Sequence, residues 1–261
     1  MPFARVGDIH LHYRIDGDAG NPPLLLSNSL GATLEMWEPQ IAALAARFRV
    51  VRYDSRGHGQ SDVPRGPYTI DDLGNDAVAL LDALDIARTR FCGLSMGGAV
   101  GLWLGIHAPE RLDRLVVANT GAKIGTADAW DARIDAVRRE GTASIATTVL
   151  SRWFPRALLE QPTPLVARLR ATFEATSSEG YAAACAAVRD LDLRREVHRI
   201  HVPTLVITGS EDASTPPSVG RYVADAIQGA QYVELPATHL SNIHAAPAFT
   251  QALLHFLTER R

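Results

Sequence analysis

A serine hydroxyl is a weak nucleophile at neutral pH and becomes useful only where the backbone presents it and a base takes its proton. The segment Gly93-Leu94-Ser95-Met96-Gly97 offers such a place. Arg90-Phe91-Cys92 before it reads as a strand and Gly98-Ala99-Val100-Gly101-Leu102-Trp103 after it as a helix, so Ser95 falls on a strand-to-helix turn. Glycine two residues to either side removes side chains that would collide in so tight a bend. Taken alone, the five residues also fit a glycine-rich packing turn with an incidental serine. The strand and helix around them favour the nucleophile.

That role demands a histidine and a carboxylate to orient it. Asp212 lies in Gly209-Ser210-Glu211-Asp212, past an apolar run at 204–208, and His239 lies in Ala237-Thr238-His239-Leu240, past another at 232–235. Glu211 and His244 compete for the same roles, but Glu211 fits the turn less well and His244 falls where the last helix begins. His10, His12, His58, His107, His198, His201 and His255 read as surface or packing residues, and no His-x-x-x-His or paired-cysteine spacing suggests a metal. Acyl transfer also needs two backbone donors for the oxyanion. Met96 supplies one, and Leu30 in Asn28-Ser29-Leu30-Gly31 is placed to supply the other, although that segment also reads as a plain turn.

These residues need a frame. A hairpin is expected from residues 3–6 and 9–15 across Gly7-Asp8, followed by short buried strands at 24–27, 50–53, 90–94, 115–118, 204–208 and 232–235. Helix-period segments at 36–47, 69–84, 96–107, 218–227 and 248–259 lie between or after them. The alternation predicts an α/β fold, a mainly parallel sheet with helices on both faces and chemistry at the carboxyl ends of its strands. Residues 122–190 break the rhythm with helical patterns at 130–139, 142–150, 165–173 and 179–189. The expected organisation is a core domain of 1–121 and 191–261 carrying a helical lid of 122–190.

Composition narrows the setting. The 261 residues are 46% hydrophobic and 21% charged, with 26 basic against 29 acidic side chains, which suits a soluble globular chain and gives no basic footprint for nucleic acid or an anionic membrane. Cys92 and Cys185 are too few for a disulfide scaffold and fit a reducing cytoplasm. The N-terminal Met-Pro-Phe-Ala-Arg-Val-Gly-Asp reads as a strand rather than a secretory signal. The uncharged stretch 91–109 is broken by glycines and reads as a strand and helix, not a membrane span.

From the strand at 24–27 through Arg56-Gly57-His58-Gly59-Gln60-Ser61-Asp62 to His239, the chain resembles the α/β-hydrolase fold, whose Ser, Asp, His order it shares. Within that fold, Asn28-Ser29-Leu30-Gly31, Tyr53-Asp54-Ser55-Arg56-Gly57-His58-Gly59 and Cys92-Gly93-Leu94-Ser95-Met96-Gly97-Gly98 resemble the 3-oxoadipate enol-lactonases of bacterial aromatic degradation. Asn28-Ser29 replaces the His-Gly of most relatives, a departure the enol-lactonases share. The resemblance implies hydrolysis of a small anionic lactone by Ser95, His239 and Asp212, without metal or organic cofactor. It leaves open an esterase, a perhydrolase, a carbon-carbon bond hydrolase or a ligand-sensing protein, and it fixes no oligomeric state. An anionic substrate needs a cation, and the lid has eight arginines against eight acidic residues. Arg133 and Arg138 flank the stripe Trp130, Ile134 and Val137 and are expected to face the site, with Arg133 first; Arg152 beside Trp153 is the second choice.

Overall fold

The structure is a computed structural model and describes residues 2–259. Strands β1 (Phe3–Val6) and β2 (Ile9–Asp16) form the opening hairpin, in which buried Ile9 and Leu11 alternate with exposed His10. Strand β3 (Pro23–Ser27) leads through a single 3-10 turn at Leu34–Trp37 into helix α1 (Glu38–Ala45). The 36–47 pattern therefore begins as a tighter turn and stops two residues early. Strand β4 (Arg49–Tyr53), helix α2 (Ile70–Ala83), strand β5 (Thr89–Leu94), helix α3 (Met96–His107) and strand β6 (Leu112–Ala118) follow. Helix α2 starts where Thr69 and Asp72 bond each other's backbone amides, a capping box.

Five helices come next with no strand between them among the described residues: α4 (Ala127–Glu140), α5 (Ala146–Trp153), α6 (Arg156–Glu160), α7 (Pro164–Glu174) and α8 (Ser178–Asp190). Helix α4 is capped by Thr126 and ends at Gly141, whose φ of 80° suits glycine. The chain returns as β7 (Thr204–Gly209), α9 (Pro217–Ala226), β8 (Gln231–Leu235), α10 (Ser241–His244) and α11 (Ala246–Thr258). The short α6 has no expected counterpart, because five residues between Pro155 and Pro162 show too little periodicity to read.

Among the described residues the eight strands form one sheet in the order β1-β2-β4-β3-β5-β6-β7-β8. Strand β2 runs antiparallel to β1 and β4, and every later pairing is parallel. Both faces of the parallel strands are covered, which is why Leu24-Leu25-Leu26 and Leu115-Val116-Val117-Ala118 are apolar without alternation. Helix α3 is buried on every residue from Met96 to Ile106, so it too is apolar all round. Gly74 of α2 lets it lie close against Trp103 of α3, where any Cβ would collide with the indole. The carboxyl ends of β3, β5, β6, β7 and β8 thus open on one edge of the sheet. No helix among the described residues is long and apolar enough to cross a membrane.

Candidate active site

Ser95 follows β5 and precedes α3 with φ 59° and ψ −116°, a conformation that costs an L-residue on the order of 1–3 kcal/mol. The surroundings enforce it. The Ser95 amide donates to the Ala118 carbonyl at 2.9 Å, and its own carbonyl accepts from the Ala99 amide at 2.9 Å and the Thr120 hydroxyl at 2.7 Å. A Cβ on Gly93 would lie 2.0 Å from the Gly97 carbonyl oxygen, and one on Gly97 would lie 2.2 Å from that of Ser27. Both glycines are therefore steric requirements of the turn.

Asp212 and His239 lie on the loops after β7 and β8, within hydrogen-bond reach of each other: His239 Nδ1 is 2.8 Å from Asp212 Oδ2. Asp212 is buried and accepts further bonds from the amides of Ser214 and Thr215, the Thr215 hydroxyl and the Asn119 side-chain amide. Burial alone would push its carboxyl up; the charge and hydrogen bond of His239, with the Thr215 and Asn119 bonds, outweigh burial and hold it down to about 2. A carboxylate so fixed leaves His239 with Nδ1–H toward Asp212 and Nε2 free to take a proton. Glu211 is exposed beside it, and His244 Nδ1 is occupied as the acceptor of the Thr238 amide at 3.0 Å.

The loop after β3 is pinned from several sides. Its Asn28 carbonyl accepts from the Gly97 amide at 2.9 Å, the Ser29 carbonyl from the Ala32 amide at 3.0 Å, and the Gly31 amide donates to His58 Nε2 at 2.9 Å. The Asn28 side chain bonds Tyr53 and Trp37, which explains an asparagine there. The Asn28–Gly97 bond ties this loop to the serine turn. Among the described residues neither the Leu30 nor the Met96 amide donates to an internal acceptor, so both remain available to a ligand oxygen.

Ser95 and His239 line one cavity of about 100 Å³ together with Leu30, Trp130, Arg133, Arg152 and Trp153. The Arg133 guanidinium lies 4.7 Å from the centre of the Trp130 ring, whose indole N–H donates to the Ile124 carbonyl. Arg152 is largely exposed at this cavity, and Arg138 is exposed on α4 and lines no part of it. The helix turns Arg138 outward, so of the two arginines expected to face the site only Arg133 does. A larger groove of about 1060 Å³ beside α11 and β8 shares no residue with this cavity, and the Thr250 and Thr258 hydroxyls that line it donate to the Ala246 and Leu254 carbonyls.

Four contributors escaped the sequence reading. Tyr181 of α8 lines the cavity, where burial pushes its hydroxyl up and the nearby Arg133 charge opposes that rise. Asn119 and Thr215 hold Asp212, and Thr238 bonds the end of α5. Each is a single polar residue with no spacing to announce it.

The chain matches known proteins over most of its length. The α/β-hydrolase fold model matches residues 22–246. The chain is 44% identical over 246 residues to 3-oxoadipate enol-lactonase 2 of Acinetobacter baylyi, covering 94% of this chain and 92% of that one. It superposes on the crystal structure of the enol-lactonase from Burkholderia xenovorans with a TM-score of 0.97 and 48% identity, over 99% of this chain and 100% of the other. A thermophilic esterase from Thermogutta terrifontis follows the same fold at 27% identity and a TM-score of 0.90, over 98% of this chain and 97% of that one. The chain belongs to the α/β-hydrolase family, as a lactone hydrolase related to the 3-oxoadipate enol-lactonases.

Proposed function

We propose that this chain opens 3-oxoadipate enol-lactone to 3-oxoadipate, a step of bacterial aromatic degradation in the cytoplasm. Near full-length likeness to an enol-lactonase at 44% identity carries the reading. The site supplies parts for the chemistry. Ser95 Oγ bonds to the lactone carbonyl carbon as His239 Nε2 takes its proton, with Asp212 holding the imidazole in the required tautomer. The Leu30 and Met96 amides receive the oxyanion. Collapse breaks the ring C–O bond, His239 returns the proton to the departing enol oxygen, and the enol tautomerises to a ketone while the acyl group stays on Ser95. Water, deprotonated by His239, then releases the acid and restores the hydroxyl. Neither a metal nor an organic cofactor enters these steps.

Arg133 is the cation assigned to the substrate carboxylate, backed by Trp130 and Tyr181, with residues 122–190 as the lid that carries it. The test is direct: purified protein is given the enol-lactone, followed by loss of its absorbance, beside 4-nitrophenyl acetate. A kcat/KM for the lactone at least about tenfold above that for the acetate is expected, on the scale of one charged hydrogen bond. A preference for the neutral ester would overturn the substrate, and turnover of neither would point to a ligand-sensing protein.

A further inference from the structure

A helix leaves its last carbonyls without intrahelical partners, and something must satisfy them. At the end of α5 that partner is the base loop. The Leu150 carbonyl accepts locally from the Phe154 amide at 3.0 Å, and Pro155 then ends the helix. The Arg152 carbonyl accepts from the His239 amide at 3.2 Å. The Trp153 carbonyl accepts from the Leu240 amide at 3.3 Å and from the Thr238 hydroxyl at 2.7 Å. Residues 238, 239 and 240 thus all bond the last turn of one helix in the inserted segment, and the hydroxyl makes the shortest of the three contacts.

We propose that Thr238 is a positioning residue that fastens the base loop to α5, so that His239 is in catalytic register only when this helix is seated. The inference rests on the reading of His239 as the base. Thr238 is buried; its amide donates to His244 Nδ1 of α10, and its hydroxyl, 3.2 Å from that same nitrogen, makes its shorter bond to the Trp153 carbonyl of α5. It therefore bridges the core and the inserted helices at the residue before the imidazole. Asp212 fixes the ring at Nδ1, but the direction of Nε2 also depends on the backbone that carries the ring. Arg152 and Trp153 line the cavity as well, so the segment that meets a ligand also holds the base.

The test compares Thr238→Val, which keeps the side-chain shape and loses the donor, with Thr238→Ser, which keeps the donor. Three readouts are taken on folded protein below its thermal midpoint: kcat and KM with 4-nitrophenyl acetate, the same with the enol-lactone, and the rate at which diethyl 4-nitrophenyl phosphate labels Ser95, followed by mass. Thr238→Val is expected to lower kcat for both substrates and the labelling rate by about tenfold to fiftyfold, the scale of a sub-ångström misplacement of a reacting group, with KM within about twofold. Thr238→Ser should stay within about threefold of the parent. The proposal falls if Thr238→Val keeps kcat and labelling within twofold, if its loss is confined to KM or to the enol-lactone, or if Thr238→Ser is as impaired. A chain that ignores the enol-lactone but loses acetate turnover and labelling in Thr238→Val would overturn the substrate assignment and uphold this one.

Discussion

Ser95 pays for its exposure to ligand with an unfavourable backbone, and its neighbours return that cost through three hydrogen bonds at its amide and carbonyl. None of those bonds uses the hydroxyl. Ser95→Ala should therefore fold with an unchanged circular dichroism spectrum while losing at least about 10³-fold in kcat for any ester or lactone, the scale of removing a triad nucleophile. At the carboxylate, two adjacent acids offer a sharper comparison. Asp212 receives five hydrogen bonds and Glu211 is exposed. Asp212→Asn turns an acceptor into a donor against His239 Nδ1 and favours the wrong tautomer, so kcat should fall by up to about 10⁴-fold. Glu211→Gln should leave kcat within about twofold, since the Glu211 carboxylate is exposed and solvent screens its charge. Side-by-side turnover of 4-nitrophenyl acetate by the two variants checks both statements.

Helix α4 shows how an element decides what one of its residues can do. Arg133, half-buried between Trp130 and Tyr181, faces the cavity, while Arg138 on the same helix faces solvent. Arg133→Met keeps the length and apolar stem but removes the charge, and should lower kcat/KM for the anionic lactone by about 1.5–3 kcal/mol. Hydrolysis of a neutral ester should barely change; equal losses on both would mean that Arg133 only supports α4. The apolar stripe of α4 was legible from spacing at 3.6 residues per turn, yet both edges of a stripe satisfy that rule, and only the packing of α8 decides which edge meets the cavity. Elements with sharp ends read best: α3 runs over Met96–His107 as expected, because the Ser95 turn and Pro109 bound it. Buried strands read well because full burial demands continuous apolar runs. Asn119, Thr215 and Thr238 did not, since each acts through side-chain hydrogen bonds, local for Thr215 and long-range for Asn119 and Thr238, that periodicity does not record.

Over the whole molecule, the groups that hold the site together also set how stability follows pH. His58 is buried, and burial pulls its pKa below the usual histidine value, against the Arg56 carbonyl bond and the Asp54 charge. It stays neutral in the fold, accepting the Gly31 amide at 2.9 Å, whereas in the unfolded chain it takes up a proton near pH 6.5. The unfolded state then binds more protons, so this contribution is full above about pH 6.5 and is lost as pH falls from there toward the lower folded value. Asp212, held down to about 2, acts in a separate window: its contribution is full above about pH 4 and is lost between there and about pH 2. Asp76 runs the other way, because burial raises its carboxyl despite the Arg56 pair, and protonating it on the way down removes a destabilising charge. The thermal midpoint should therefore fall in two steps, first from pH 7 toward pH 5 and again below pH 4, by about 2–4 °C for each kcal/mol lost. His58→Gln keeps an acceptor for the Gly31 amide but does not titrate. It should flatten the first step and leave the second intact, as read by calorimetry across that range; an unchanged slope between pH 7 and pH 5 would remove His58 from the acid response.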